Sequence, residues 1–405
     1  MKICFSVSTF LSRSQTFVTT QVLYAVRAGH EVSVACKEVA GDAAFSAEDQ
    51  ALIDQVRVIH WPPAPPPFLR HLPTGLADRV IARRNARSWK REVDADVVVA
   101  HFGYQGARIA RAQSGWAARP PLITIYHGRD VSVEYKRNGM AKYRQLFAEG
   151  DLHLPVNRCF GELLVKAGAP ADRVETLHLG VPVERYRFAP KPIGTPLRLV
   201  SVCRLVEKKG LDVAIEALAM LRARRPEVEW RYEIGGDGPM GAALRAQVAE
   251  RGLGDRVRFL GALSHEATLE RIAAADVLLA PSVTAKDGDQ EGIPVTLMEA
   301  MALGTVVCAT RHSGIPELLE DGASGVLSKE GDAIGLFKNI AAVSHGKNLA
   351  SNLVDAARLT IELHFDSWLQ TKALLRQCDG LIGSKMYQRK CERSVVRRVL
   401  RPKLY

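Results

Sequence analysis

Short β-branched apolar runs alternate with longer helical patterns along this chain, and the alternation stops once and restarts. In the first half the runs are 2–7, EVSVAC (31–36), VRVIH (56–60), DVVVAH (96–101), PLITIY (121–126) and DLHLPV (151–156). Helical patterns such as 16–28, 74–92 and 157–168 lie between them. FAPKPIGTP (188–196) then interrupts with three prolines and a glycine, a linker composition. After it come LRLVSV (197–202), WRYEIG (230–235), VRFLG (257–261), DVLLAP (276–281) and TVVCAT (305–310), with helices near 210–224 and 240–252. Strands that are apolar throughout and alternate with helices belong to parallel sheets covered on both faces. The expected fold is α/β: two Rossmann-like domains with parallel sheets facing across a cleft, over 1–187 and 197–365. Residues 366–405 should form a helical basic tail crossing back to the first domain.

At 405 residues and 47% apolar content the chain exceeds one core. Its seven cysteines are scattered without a C-x-x-C pair, which argues for reduced thiols and against a disulfide framework or zinc site. No apolar run approaches the ~18 residues of a membrane span, and MKICFSVSTFLSRS reads as a first strand, not a signal peptide. Net charge is +11 and unevenly placed: segment 70–91 carries a net +6 and segment 384–405 a net +7, so the remainder is close to neutral. Such segments attract polyanions, an anionic membrane surface or nucleic acid.

Ligands of open parallel sheets bind at the carboxyl ends of the strands, and the chemically loaded segments fall there. Glu291 and Glu299 bracket EGIPVTLME, where Gly292, Ile293 and Pro294 lead into a helix whose first amides and dipole suit a phosphate or sugar hydroxyl. Arg204 and Lys209, in VCRLVEKKG, follow the first strand of the second unit and are placed to hold a diphosphate, with Lys208 the neighbouring alternative. IGGDGPMG (234–241) contains G-x-G-x-x-G, but no acidic residue ends the next strand. Gly236, Asp237 and Gly238 therefore suit a mononucleotide or diphosphate better than a dinucleotide. His127 ends a strand in TIYHGRD, where it should face the cleft, and Asp130 opens the next segment; His101 ends another strand. Two D-x-D triplets, Asp94–Asp96 and Asp287–Asp289, lack further ligands in sequence, so no metal site is expected. No Walker loop, H-E-x-x-H or G-x-S-x-G is present.

Together these segments resemble glycosyltransferase family 4, retaining sugar transferases of the two-domain GT-B type. Arg204 with Lys209, G-D-G-P at 236–239, the Glu291/Glu299 pair, RHSGIPELLEDGASG (311–325) and H-G-x-D at 127–130 agree in order and spacing over roughly 1–365. SQTFV (14–18), AHFG (100–103), HGRD and RHSGIPE resemble the bacterial exopolysaccharide branch, including colanic-acid-type transferases. Relatives usually carry glutamate where Gln15 stands, and often Val-Asp where Val181–Pro182 stands.

The resemblance implies a UDP- or GDP-sugar donor on the second domain and a glycan acceptor, polyprenyl-diphosphate-linked or other, on the first. Arg204 and Lys209 would neutralise the departing diphosphate, Glu299 would contact the ribose, and Glu291 with the Gly292 and Ile293 amides would hold the sugar. His127 would reach a sugar hydroxyl, and Ser14, Thr16, His101 and Asp130 would stand on the acceptor side. It also implies retention of configuration with no metal or cofactor. The basic segments would then place the enzyme on the cytoplasmic face of the plasma membrane, with no nucleic acid partner. A nucleotide-sugar 2-epimerase shares the diphosphate logic but yields a new nucleotide-sugar from donor alone. A non-catalytic polyanion binder would show a steep salt dependence.

Overall fold

A computed structural model describes residues 1–12, 15–40, 46–62 and 74–399, the side chains of 74–75, 347–349 and 386–399 excepted. The strands are β1 (Lys2–Ser6), β2 (Thr9–Phe10), β3 (Glu31–Cys36), β4 (Glu38–Val39), β5 (Arg57–His60), β6 (Val97–His101), β7 (Leu122–Tyr126) and β8 (Leu152–Pro155) in the first half. The second half has β9 (Leu197–Val202), β10 (Trp230–Gly235), β11 (Val257–Gly261), β12 (Val277–Ala280), β13 (Val306–Thr310) and β14 (Val326–Ser328).

Two six-stranded sheets result, ordered β5-β3-β1-β6-β7-β8 and β11-β10-β9-β12-β13-β14, every pairing parallel. Each half is the same doubly wound order, in which the chain starts in the middle, runs to one edge, returns and runs to the other. The order reverses between β1 and β6 in one sheet and between β9 and β12 in the other, and such reversal points open crevices at the strands' carboxyl ends. β6 and β7 are buried along their whole length, as strands covered on both faces must be. The sixth strand of the second sheet is only three residues long, too short to stand out as an apolar run.

Residues 188–196 run without regular structure between the halves. The long C-terminal helical pattern breaks at Phe365–Asp366, giving the helices Lys347–His364 and Ser367–Val399. The break is a crossing point: Val181 N–H donates to Phe365 O at 2.9 Å and Ser367 N–H to Val181 O at 2.9 Å. Gly180 permits it, because a Cβ there would stand 2.7 Å from Phe365 O. The last helix packs back on the first half, where the Trp368 and Tyr24 rings meet edge-on at 5.4 Å and Lys385 Nζ lies 3.0 Å from Asp151. The helix Thr74–Glu92 buries Trp89 and exposes Arg79, Arg83, Arg84, Arg87, Lys90 and Arg91. Among the described residues no helix is long and apolar enough to cross a membrane.

Candidate active site

The carboxyl ends of the two sheets enclose a cavity of about 480 Å³. Gln15, Phe17, Phe102, His127, Gly128, Arg129 and Leu179 line it from the first half; Arg204, Lys208, Lys209 and residues 291–296 line it from the second.

Its charged centre is Glu291. Lys209 Nζ lies 2.9 Å and Lys208 Nζ 3.4 Å from Glu291 Oε1. Burial alone would raise the Glu291 carboxyl, but the two lysines override it and hold it at about 2. Burial alone would lower Lys209, and the Glu291 charge raises it instead. Both groups are therefore charged at neutral pH, a buried pair whose members depend on each other. Lys208 divides itself further, lying 3.1 Å from Asp289 and donating to Gln290 O at 3.3 Å. Arg204 is exposed at the cavity and has no ion-pair partner among the described residues.

The helix Val295–Leu303 has Pro294 as its N-cap, with extended backbone. The first N–H groups of a helix have no intrahelical acceptor, and Val295 and Thr296, which open this one, line the cavity. Glu299 is buried one turn further on, where His265 Nε2 stands 2.8 Å from its Oε1 and the Tyr186 hydroxyl donates to it at 3.5 Å. The hydrogen bond to Glu299 raises the His265 imidazole above its ordinary range.

Gly292 is a point of contact between the halves. A Cβ there would stand 2.6 Å from His127 O, so only glycine lets the Glu291 loop reach the His127 turn. Asn157 locks the same place: its Oδ1 caps the helix Arg158–Lys166 through Phe160 N–H at 2.8 Å, and its Nδ2 donates to Gly292 O at 3.1 Å.

His127 sits between Phe17 and Phe102, ring centroids 4.6 and 4.5 Å away, and its Nε2 is 3.1 Å from Nδ1 of His101. Burial drives both imidazoles down, His101 to about 3, with His101 adding to the effect on His127. The pair is neutral, one ring donating to the other, and His127 Nδ1 has no partner among the described residues. His101 is fully buried and lies behind His127, not at the cavity wall.

Asp130 is also buried behind the wall. Its Oδ2 accepts from Gly103 N–H at 2.8 Å, and its Oδ1 from His127 and Gly128 N–H at 3.1 and 2.9 Å. It therefore pins the turn that carries His127. Thr16 is exposed at the first turn of the helix Thr16–Arg27 and does not line the cavity; its neighbours Gln15 and Phe17 do. Ser14 lies outside the described residues.

Gly236, Asp237 and Gly238 do not line the cavity either. Gly236 has φ +129°, and a Cβ there would stand 1.8 Å from Cys203 O; at Gly238, φ +155°, it would meet Leu205 O at 2.5 Å. The close backbone approach these glycines allow is to the Arg204 loop of the chain itself. Both D-x-D triplets are engaged: Arg129 pairs with Asp287 and Asp289, and Lys2 with Asp94 while its N–H donates to Asp96. Among the described residues no cluster of three or more His, Cys, Asp or Glu is placed for a metal.

Doubly wound sheets facing across a charged cleft define the two-domain glycosyltransferases of the GT-B type. Family models agree with that geometry: "Glycosyltransferase Family 4" matches residues 14–185 and "Glycosyl transferases group 1" residues 182–360. The chain is 33% identical over 412 residues to WcaL of Salmonella typhimurium, provisionally named a colanic acid biosynthesis glycosyltransferase, covering 94% of this chain and 99% of that one. It is 38% identical to the amylovoran biosynthesis glycosyltransferase AmsK of Erwinia amylovora over 70% of each chain. This chain belongs to glycosyltransferase family 4. Among solved structures, Anabaena Alr3699/HepE in complex with UDP shares the fold, with TM-score 0.73 and 19% identity over 94% of this chain and all of that one.

Proposed function

We propose that this enzyme transfers a sugar from a UDP-sugar to a glycan acceptor, with retention of configuration, in bacterial exopolysaccharide biosynthesis. The observation that carries the reading is Glu291, buried and ionised between two lysines at the cavity, beside Arg204 and the N-terminus of the helix Val295–Leu303. The relatives named for colanic acid and amylovoran biosynthesis support the pathway class. The Anabaena neighbour, solved with UDP and with UDP-glucose, supports a uridine donor.

Bond stretching at the sugar carbon moves negative charge onto the nucleotide diphosphate. Fixed cations and helix amides stabilise that charge more in the transition state than in the ground state. Arg204, with no carboxylate partner among the described residues, meets the diphosphate outright, while Lys209 shares its charge between the diphosphate and Glu291. Glu291 and the amides of Gly292 and Ile293 hold the transferred sugar. Glu299, backed by His265, takes the ribose hydroxyls, and neutral His127 makes a hydrogen bond to a sugar hydroxyl. The loop of Gly236, Asp237 and Gly238 supports the Arg204 loop.

Calorimetry and turnover separate these roles. Glu291→Ala will lower turnover with UDP-glucose while leaving UDP affinity within a few-fold. Glu299→Ala will weaken UDP itself by about 1.5–3 kcal/mol, the worth of a hydrogen bond to a charged group. Equal losses of UDP affinity in both variants would refute the assignment.

We further propose that the acceptor is lipid-linked and that the tail holds the enzyme at an anionic membrane. Lys385 is paired with Asp151, and the tail carries seven further cations over 389–403. At roughly 1 kcal/mol per basic residue near an anionic surface, a few suffice. Deleting 386–405 will shift the protein from anionic vesicles into the supernatant. Equal sedimentation of both forms at low and high salt would remove the tail as anchor.

A further inference from the structure

The segment Thr284–Glu291 carries Glu291 from the end of β12 to the cavity, and two side chains hold both of its ends. Thr284 N–H donates to Glu330 Oε2 at 2.8 Å. Glu291 N–H donates to His312 Nε2 at 3.0 Å, and His312 Nδ1 lies 2.7 Å from Glu330 Oε1. Because Nε2 accepts an amide proton it carries none, so the ring's proton is on Nδ1 and is donated to Glu330. His312 is fully buried. Within the segment Ala285 N–H donates to Asp289 O at 3.0 Å and Gln290 Nε2 to Thr284 Oγ1 at 3.1 Å, so it holds together as one unit.

We infer that His312 and Glu330 form a staple that positions Glu291: Glu330 fixes the ring and one end of the segment, and the ring fixes the amide of the acid itself. Neither residue lines the cavity, so both are positioning residues. The inference rests on the reading that Glu291 contacts the transferred sugar. Lysine charge cannot supply this positioning, because an ion pair tolerates displacement whereas an amide aimed at a ring nitrogen does not. A displacement of about 1 Å at a reacting centre is enough to cost on the order of a hundredfold in rate.

The test uses the full chain with UDP-glucose, or GDP-mannose where the wild type turns that over faster. His312→Leu, which keeps volume and loses both bonds, should lower nucleoside diphosphate release by about tenfold to a hundredfold, up to the cost of a misplacement of about 1 Å at the reacting centre. Affinity for the nucleoside diphosphate should stay within about twofold, since the staple acts on the sugar end. Amide exchange across 284–291 should accelerate while exchange in β9 and β13 does not. His312→Gln, whose Oε1 reaches the Nε2 position, should restore most of both; Glu330→Gln, at a partly exposed side chain, should give the intermediate phenotype if the leucine variant fails to fold. Wild-type release by His312→Leu, or unchanged exchange in 284–291, overturns the staple. Glu291→Gln serves as the separate control: wild-type release in that variant sinks the sugar-contact reading, while exchange still decides whether the staple exists.

Discussion

Replacing Lys209 by methionine will destabilise the folded chain by roughly 3–5 kcal/mol, the cost of leaving one member of a buried ion pair without its partner. Glu291 is the group left behind, with an 8% exposed residue surface and Lys208 as its one remaining cation at 3.4 Å. Lys208 is already divided between Asp289 and Gln290, so it compensates only in part. The double variant Lys209→Met with Glu291→Gln should recover most of the loss, because the charge left unpaired by the single variant is then gone and Lys208 still faces Asp289, while turnover stays low. Urea unfolding of the two singles and the double closes the cycle; a Lys209→Met variant within 1 kcal/mol of wild type would mean the pair contributes nothing. The pair also sets an acid limb. Glu291 falls from an ordinary 4.5 to about 2 on folding. Its contribution, on the order of 3 kcal/mol, is therefore complete above 4.5 and lost as pH falls through 2. The raised Lys209 describes the same interaction from the other side, present below the unfolded lysine value of 10.5 and lost as pH rises through the folded one.

How far this site was legible in the sequence depends on what each residue does. Arg204, Lys209 and Glu291 announce themselves because charge at a strand's carboxyl end has few structural uses, and the fold brings Lys209 and Glu291 together. Position along the chain does not reveal whether a side chain looks into a cavity or behind it. His101 and Asp130 end up behind the wall, the first stacked on His127 and the second holding its turn. The glycines of G-D-G-P likewise answer to the chain's own backbone. Gln15 and Phe17, flanking the expected Thr16, reach the cavity because the helix starts there and turns them inward. His312 and Glu330 were beyond spacing arguments: they are separated from Glu291 by 21 and 39 positions in sequence, and only the neighbouring ends of β13 and β14 bring them together. The sheets were readable because burial on both faces writes itself into sequence as unbroken apolar runs.

Acidification to pH 5 will destabilise this protein above the range in which an ordinary carboxylate protonates, although Asp130, whose carboxyl burial raises, adds stability as pH falls and opposes the loss. Burial pushes His101 down to about 3 and His153 down to about 4, and burial followed by the His101 ring drives His127 well below 6.5. A histidine that is neutral when folded and ordinary when unfolded binds its proton more tightly in the unfolded chain. Its contribution is therefore complete above 6.5 and declines as pH falls, at about 1.4 kcal/mol per pH unit for each group. By pH 4.5, His101 and His153 together account for a loss on the order of 5 kcal/mol, comparable with the whole net stability of an ordinary domain. His265 does not offset this, since its raised value adds stability only as pH falls toward 6.5 and that contribution is complete below it. Glu291 is unaffected in this window because its limb begins only at 4.5. Urea midpoints at pH 7.5, 6.0 and 5.0 should fall steadily, and His153→Gln, remote from the cavity, should flatten the slope by about a third of its histidine part. Equal midpoints from pH 7.5 to 5.0 would show that these rings are hydrated and able to protonate. The same burial bears on the proposed chemistry: it drives His127 well below the ordinary histidine range, so the proposed sugar contact would come from an uncharged imidazole near neutral pH.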